Sequence, residues 1–242
     1  MDKFSLYDFL GLFLPGVIFI FFCNTLNEFY GIYPALFETL NWGISLSIAL
    51  CFAIIVGAVL FASNFYLANK LKWFNRVFGM YKPVAGLYLQ MTSLHKIMNQ
   101  TLNQKANEWY QKDVFFEKND FDKLDEKSKK ERNDLQDEYY DRMYYELEYH
   151  SKIEPSKTVQ SFYFFFRQTA LACILLLTFM AALFILHLFS CLYLSNPDTG
   201  KIIWLAVLLV SMLFISVQLA KWYRKRMVMK MYWAYFTHLN KI

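Results

Sequence analysis

The chain is poor in the residues that build loops, and it lacks the sequence patterns of most enzymes. Only 8 of its 242 residues are glycine and 5 are proline, which leaves little room for a loop-rich or low-complexity architecture. No repeat of solenoid period is present. The zinc-protease motif H-E-x-x-H, the phosphate-binding P-loop and the G-x-S-x-G nucleophile motif are all missing. We therefore expect a protein that is not an enzyme.

Cysteines are equally scarce and do not form a pattern that binds a metal or builds a disulfide framework. Each lies inside an apolar run, and no two are spaced as a C-x-x-C pair (Cys23, Cys51, Cys173 and Cys191). This pattern is typical of cysteines that act as small apolar side chains. We expect neither a metal nor a cofactor.

Long apolar runs dominate the chain, because 57% of its residues are hydrophobic and 20% are aromatic. They predict an all-α integral membrane protein with four transmembrane helices, at about residues 7–26, 42–67, 162–194 and 202–220. Asp2 and Asp8 offset Lys3 at the N-terminus, and no small-residue cleavage pattern follows. The first run is therefore interpreted as a retained span rather than a signal peptide.

A charged insertion separates the second span from the third. The predicted organisation is spans 1 and 2 in residues 1–67, the insertion in 68–160, spans 3 and 4 in 161–220, and a basic, aromatic tail in 221–242. The insertion holds sixteen Lys or Arg against fifteen Asp or Glu, whereas only five acidic residues lie elsewhere. The helix of the second span is expected to continue past Leu67 to about Lys82, and Glu154-Pro155-Ser156 is expected to start the helix of the third span. Between them, a helix is predicted at about 84–116, with an apolar stripe at Leu87, Met91, Leu94, Met98 and Leu102, and another at about 131–151, with a stripe at Leu135, Tyr139, Met143 and Leu147. An exposed turn is expected at 117–130. Together with the tail they are expected to form one helical cytoplasmic domain.

The signs of charge within the insertion are segregated. Basic residues dominate at Lys127, Lys129 and Lys130, and acidic residues dominate from Asp134 to Glu148. This arrangement suggests an electrostatic match between subunits or with the tail, and a solvated helix face is the alternative interpretation.

Basic residues also predict the orientation of the spans. No Lys or Arg lies between spans 1 and 2, and only Lys201 lies between spans 3 and 4. By contrast, both flanks of the insertion and the tail are basic. Because loops rich in Lys and Arg stay on the cytoplasmic side, both termini and the insertion are expected in the cytoplasm.

The basic tail is the first candidate site, because no acidic residue follows Asp198. Its side chains would anchor the chain at anionic lipid headgroups. Alternatively, Lys and Arg would neutralise the phosphates of a ligand while aromatic rings stack on its bases. The candidate contacts are Lys72, Arg76, Lys221, Trp222, Arg224, Lys225, Arg226 and Lys230.

Polar and helix-bending residues inside the spans are candidates for a pore or a gate. Pro15 and Gly16 interrupt the first span, either as a tolerated kink or as a hinge. Four polar residues would line a water-filled path in an oligomer or form hydrogen bonds between helices: Ser63, Asn64, Ser211 and Gln218.

Charged and small residues predict further contacts. Asp8 and Arg167 lie at the expected cytoplasmic boundary and are a candidate ion pair, with snorkelling to the interface as the alternative. Small residues recur every fourth position in the second span (Ser45, Ala49, Ala53 and Gly57). Such a face allows close approach of another helix, from the same chain or from another copy.

The segment Ser5-Leu6-Tyr7-Asp8-Phe9-Leu10-Gly11, followed by Leu14-Pro15-Gly16, carries a resemblance to a known family. On a four-span chain with a helical cytoplasmic insertion, it resembles small membrane effectors of bacterial anti-phage defence. The layout is most similar to the membrane effector of the Hailong system, and less specifically to the Kiwa membrane subunit. The resemblance implies a homotetrameric, channel-like effector in the bacterial inner membrane.

In the Hailong type, a partner nucleotidyltransferase makes single-stranded oligodeoxynucleotides that bind the cytoplasmic part and hold the channel shut. The resemblance therefore implies that loss of this ligand opens the channel and depolarises the cell. The alternative function is a non-conducting membrane sensor or scaffold that recruits a cytoplasmic protein partner.

Overall fold

The computed structural model describes residues 9–30, 42–77, 96–111, 123–188 and 199–240. Nearly all of these residues are helical, and none of them lies in a strand. A π-helical segment, Phe9–Phe13, leads directly into the first α-helix. The α-helices are α1 (Leu14–Tyr30), α2 (Trp42–Lys70), α3 (Lys72–Val77), α4 (Lys96–Tyr110), α5 (Glu126–Tyr149), α6 (Glu154–Leu188) and α7 (Thr199–Leu239).

Four helical stretches are long and apolar enough to cross a membrane: Phe9–Tyr30, Ser47–Ala68, Glu154–His187 and Thr199–Leu239. The shortest of them has 22 residues, and about 20 are needed to cross roughly 30 Å of hydrocarbon. The predicted class, an all-helical chain with four spans, is confirmed. These helices are consistent with a multi-pass membrane protein.

The chain divides into two compact units. The first, called here the membrane unit, comprises Met1–Phe74 and Ser161–Lys221. The second, called the insertion unit, comprises Asn75–Gln160 and Trp222–Ile242. Each unit has its own buried core.

The first span of the membrane unit begins with the π-helical segment because of Pro15. Proline has no N–H to donate to the carbonyl of Gly11, and in a regular α-helix its ring would clash with that carbonyl. A π-helical turn widens the backbone at that point and relieves both problems. Pro15 and Gly16 are themselves buried.

Helices α1 and α2 approach each other through glycine. A Cβ atom added to Gly16 would overlap the carbonyl of Ala53, and one added to Gly57 would overlap the carbonyl of Leu12. Such close backbone approach maximises the dispersion contacts that hold helices together in lipid. The small-residue face of the second span therefore packs at Ala53 on α1 of the same chain, and at Gly57 on the π-helical segment that leads into α1. The side chain of Ser45 lies outside the described residues.

The core of the membrane unit joins α1, α6 and α7. Its buried members are mostly large apolar side chains: Phe22, Leu26, Tyr30, Cys173, Leu176, Met180, Leu183, Leu205 and Leu209. Packing of these side chains fixes the three helices against one another, because burial of each contributes dispersion contacts.

The core of the insertion unit is made of methionine and tyrosine as much as of aliphatic residues. It joins α4, α5, the start of α6 and the end of α7, and its buried members are Met98, Leu102, Ala106, Tyr139, Met143, Leu147, Ile153, Met227, Val228, Met231, Tyr232 and Tyr235. The apolar stripe predicted on α5 is confirmed, since Tyr139, Met143 and Leu147 are fully buried. The N-terminal part of the predicted α4 stripe, through Leu94, lies outside the described residues.

Several helix boundaries differ from the expectation. Helix α4 ends at Tyr110 instead of about residue 116. Helix α5 begins at Glu126, five residues early, because the carboxylate of Asp125 accepts a hydrogen bond from the backbone N–H of Ser128 and caps the helix. The predicted exposed turn is therefore wrong for residues 126–130. Helix α2 ends at Lys70, and the short α3 follows after Leu71, where an uninterrupted helix was expected. Helix α6 begins at Glu154, as predicted.

Candidate functional site

The polar centre of the membrane unit is a pair of side chains, Arg167 on α6 and Asn64 on α2. Both are buried, each with 1% of its surface exposed. The Arg167 Nε atom donates to Asn64 Oδ1 at 2.8 Å, and Nη2 donates to the Asn64 carbonyl at 2.9 Å. In return, Asn64 Nδ2 donates to the Arg167 carbonyl at 3.2 Å. Three hydrogen bonds thus connect two apolar helices.

Aromatic rings surround the guanidinium group. The Cζ atom of Arg167 lies 4.9 Å from the ring centroid of Phe65 and 5.9 Å from the centroids of Tyr163 and Phe164. The negative face of an aromatic ring attracts a cation, and this attraction grows where water is excluded. Because a buried charge needs such compensation, the cluster explains how an arginine is held in an apolar bundle.

The predicted ion pair between Asp8 and Arg167 cannot be judged, because Asp8 lies outside the described residues. What the structure adds is the role of Asn64, which was expected only as a candidate pore residue. It is enclosed in the interior of the chain and positions Arg167.

The other pore candidates lie in different surroundings. Pro15 and Gly16 are buried where α1 meets α2, and Ser63 is half-buried beside Asn64. Ser211 and Gln218 lie on the exposed side of α7. These two residues are brought to one face of one helix, apart from the other candidates.

That exposed face of α7 carries a polar seam, defined here as Ser211, Gln218 and Lys221. Residues seven apart lie almost above one another on a helix, and Lys221 follows Gln218 by three positions. The Ser211 hydroxyl donates to the Val207 carbonyl at 2.8 Å, whereas the side chains of Gln218 and Lys221 point outward. The large apolar residues Phe214 and Ile215, also exposed, flank the seam.

The basic tail residues lie on the last part of α7. Lys221, Trp222, Lys225, Arg226 and Lys230 are exposed, and Arg224 is half-buried. The remaining two candidates, Lys72 and Arg76, lie on α3, but their side chains are outside the described residues.

Trp222 and Arg226 form a stacked pair on this helix. The guanidinium carbon of Arg226 lies 4.0 Å from the centroid of the Trp222 ring. Stacking holds the guanidinium in place while its N–H groups stay accessible, which is an arrangement suited to phosphate. The tail therefore presents cations next to aromatic rings, as the sequence predicted.

Comparisons of the chain with models of protein families, with curated proteins and with solved structures find no match.

Sequence reasoning missed a polar cluster in the insertion unit. Glu146 of α5 accepts a hydrogen bond from the Tyr235 hydroxyl at 3.0 Å, and its other oxygen lies 3.3 Å from His238 Nε2. The ring of His238 lies 4.7 Å from that of His150, measured between centroids. An electrostatic match between α5 and the basic residues of the tail was one of the expectations. At Glu146, however, the tail residues that contact α5 are Tyr235 and His238. Nothing in the residue types alone indicates which tail residues face Glu146.

The described residues contain no group of three or more His, Cys, Asp or Glu side chains placed to hold a metal ion. Burial of Tyr140 on α5 raises its pKa to about 12. Arg224 of α7 opposes this increase by favouring the ionised form. The tyrosine-rich core of the insertion unit is thus water-poor on the side that meets the tail.

Proposed function

We propose that this chain assembles into a homo-oligomer, with a tetramer favoured, that forms an ion-conducting pore across a membrane. The observation that carries the proposal is the polar seam on the exposed face of α7. An amide or a lysine that faces hydrocarbon is costly, so such side chains in a spanning helix face water or another protein surface. An oligomer with its α7 helices around a common axis would supply the water.

The remainder of the membrane unit supports this division of roles. Asn64 and Arg167 hold α2 to α6 from within, and Gly16 and Gly57 fix α1 to α2. Ser211, Gln218 and Lys221 lie instead on the exposed side of α7. The helices of such a subunit are held together from within, and its polar seam faces outward. This arrangement is suited to assembly around a water-filled path.

A ligand on the tail is the proposed means of control. Exposed Lys225, Lys230 and the stacked Arg226 provide positive charge, and Trp222 provides a ring for base stacking. The resemblance to Hailong-type effectors suggests a single-stranded oligodeoxynucleotide that keeps the pore closed. On the same basis we propose a role in anti-phage defence at the bacterial inner membrane, with depolarisation as the outcome. The distribution of Lys and Arg supports a cytoplasmic location for both termini.

The pore is tested by ion flux from liposomes that contain the purified protein. Gln218→Leu should lower the flux at least about tenfold, since it replaces the polar group at the middle of the seam by an apolar one of similar size. Gln218→Glu should retain conduction and shift selectivity towards cations. Thr178→Val is the matched control, because Thr178 is also exposed on a spanning helix but donates its hydroxyl to the Ile174 carbonyl at 2.8 Å. Equal flux in all four proteins would remove the seam from the pore, and no flux in any would remove the pore.

A second candidate function is a non-conducting sensor or scaffold. It is favoured by two strongly exposed tyrosines on α5, Tyr145 and Tyr149, since exposed tyrosine is typical of protein-binding surfaces. This function predicts a protein partner that co-purifies in fixed stoichiometry. It also predicts that the membrane unit stays closed and dry in every condition.

A further inference from the structure

Helix α5 presents an exposed face that combines acid with tyrosine. We call it the acidic stripe and define it as Asp134, Glu138, Asp141, Tyr145, Glu148 and Tyr149, all exposed. The spacing of three and four residues places these side chains on one side of the helix. Tyr145 is 68% exposed and Tyr149 is 85% exposed, which is unusual for side chains with so much apolar surface.

Helix α7 presents a face of the opposite charge within the same unit. We call it the basic stripe and define it as Trp222, Lys225, Arg226, Lys230 and Trp233, all exposed. Trp222, Arg226, Lys230 and Trp233 follow one another at intervals of four, four and three residues. The two tryptophans, 44% and 40% exposed, therefore enclose the cations at both ends.

Among the described residues of one chain, only some of the charged side chains in the two stripes have ion-pair partners. Glu138 is paired with Arg142 at 2.9 Å and Glu148 with Lys157 at 2.7 Å. In the part of the chain that the structure describes, neither Asp134 nor Asp141 has an ion-pair partner. The same is true of Lys225 and Lys230. Tail and α5 meet instead through their buried core and through Glu146.

We infer that the acidic stripe of one copy binds the basic stripe of a second copy of this chain. Complementary charge selects the partner and the register, and the four exposed aromatic side chains supply the apolar contact area that surface ion pairs alone lack. The acidic stripe spans about 22 Å and the basic stripe about 17 Å at 1.5 Å per residue, so they are of comparable length. The inference deepens the oligomer of the proposed function.

The geometry of such a contact has a consequence for assembly. Because the two stripes are different surfaces, a head-to-tail contact repeated about the axis of the proposed tetramer would close a ring. A phosphate-bearing ligand on the tail needs the same cations as the acidic stripe. Ligand and neighbouring copy therefore compete for the basic stripe, which gives the ligand a way to alter how the insertion units of an oligomer are joined.

The test is zero-length crosslinking of the assembled, full-length protein with a carbodiimide, which joins carboxylates to lysine amines in direct contact. A mixture of isotope-labelled and unlabelled copies distinguishes links between chains from links within one. We expect mixed-isotope links from Asp134 or Asp141 to Lys225 or Lys230. An excess of short single-stranded oligodeoxynucleotide should reduce them.

Charge reversal provides the specificity control. The variant Asp134→Lys with Asp141→Lys should lower, at least about tenfold, the mixed-isotope links that the remaining carboxylates Glu138 and Glu148 make to Lys225 or Lys230. Combining these two substitutions with Lys225→Asp and Lys230→Asp should produce links of reversed polarity, which a merely misfolded variant would not do. The matched control is Lys152→Asp, which reverses an exposed lysine of the insertion unit outside both stripes and should leave the links unchanged.

Three results would overturn the inference: links only within single chains, Glu138 or Glu148 links that are insensitive to the reversal of Asp134 and Asp141, or failure of the fourfold variant to form links of reversed polarity. Links from Asp134 or Asp141 to a co-purifying protein would likewise assign the acidic stripe to another partner. Absence of mixed-isotope links in the unmodified protein, together with loss of binding to anionic vesicles by the variant Lys225→Asp with Lys230→Asp, would assign the basic stripe to lipid. Liposome flux is measured on the same samples, so that failure of the pore and failure of this contact are distinguished.

Discussion

Arg167 and Asn64 bind each other through three hydrogen bonds in the interior of the membrane unit, although 103 residues separate them in the chain. The guanidinium charge is compensated by a neutral side chain, a backbone carbonyl and aromatic rings. The pair therefore connects α2 to α6 without requiring a carboxylate from either helix.

Replacing Asn64 tests how much its hydrogen bonds with Arg167 contribute to stability. Asn64→Leu should lower the free energy of unfolding by about 2–3 kcal/mol, because it removes the hydrogen bond that Oδ1 accepts from the buried guanidinium and the one that Nδ2 donates to the Arg167 carbonyl. Ser63→Ala, at the half-buried neighbouring position, should change it by less than about 0.5 kcal/mol. Thermal unfolding in detergent, followed by circular dichroism, measures both. Similar losses for the two variants would mean that the pair contributes no specific stability.

The glycine contacts between α1 and α2 provide a second prediction. Gly16→Ala and Gly57→Ala should each destabilise the membrane unit by at least about 2 kcal/mol, since the added methyl group overlaps a backbone carbonyl that has no flexible side chain to move. Gly11→Ala is the matched control, because its Cβ would meet the Cβ of Phe164 at an ordinary 3.9 Å. The same unfolding assay tests all three. A Gly11 variant as unstable as the other two would contradict the proposed close approach.

Alkaline pH should destabilise the insertion unit through Tyr140. Its pKa is about 12 in the folded protein against an ordinary 10, because burial disfavours the ionised form. The folded state thus keeps a proton that the unfolded chain loses first. The stabilisation is complete below pH 10 and declines as the pH rises to 12, by up to about 2–3 kcal/mol.

The variant Tyr140→Phe should flatten part of that decline. Part will remain, since burial also raises the pKa of the neighbouring Tyr144. Tyr145→Phe, an exposed tyrosine of the same helix, serves as control and should leave the curve unchanged. Melting temperatures from pH 8 to pH 12 provide the curves. An unchanged slope in the Tyr140 variant would assign the alkaline loss to other groups.

Binding of a polyanion to the tail is the fourth prediction. Lys225→Ala, Arg226→Ala and Lys230→Ala together should weaken binding of a single-stranded oligodeoxynucleotide of about ten nucleotides at least about tenfold. The slope of log affinity against log salt should fall by about 2, because about 0.7 counterion is released per phosphate contact. Fluorescence anisotropy at several salt concentrations measures both quantities.

A control of equal charge accompanies that variant. Lys127→Ala, Lys130→Ala and Lys152→Ala together remove three exposed cations of the insertion unit away from the tail, and should leave the affinity nearly unchanged. Equal weakening in the two triple variants would mean that net charge alone attracts the polyanion. Full binding by the first variant would exclude the basic stripe from the ligand site.

Much of the fold follows from periodicity, and most of the polar contacts do not. Four apolar runs of spanning length predict four helices, and the three- and four-residue spacing of Tyr139, Met143 and Leu147 predicts which side of α5 is buried. These signals are local, so a single sequence contains them. The early start of α5 depends on one capping carboxylate, Asp125, which lies in a charged run that resembles a solvated turn.

Contacts between distant residues are different, because they depend on how helices are arranged. Charge made Asp8 a candidate partner of Arg167, and Asp8 lies outside the described residues. The partner that the described residues show is Asn64, a neutral residue that carries no electrostatic signal. The small-residue face of α2 predicted a close helix contact, but only the fold identifies α1 as the partner. For the candidate site, residue types predicted an exposed basic tail, and the stacking of Arg226 on Trp222 required the helix.

The hydrogen bonds to Glu146 have a practical consequence for anyone handling this protein. Tyr235 and His238, in the last turns of α7, contact the half-buried carboxylate of Glu146. Removal of residues 235–242 would therefore leave that carboxylate without both partners and expose the methionine–tyrosine core to water. The final helical turns therefore behave as part of the fold rather than as a dispensable appendage. Purification tags belong beyond them on a spacer, and truncations belong elsewhere.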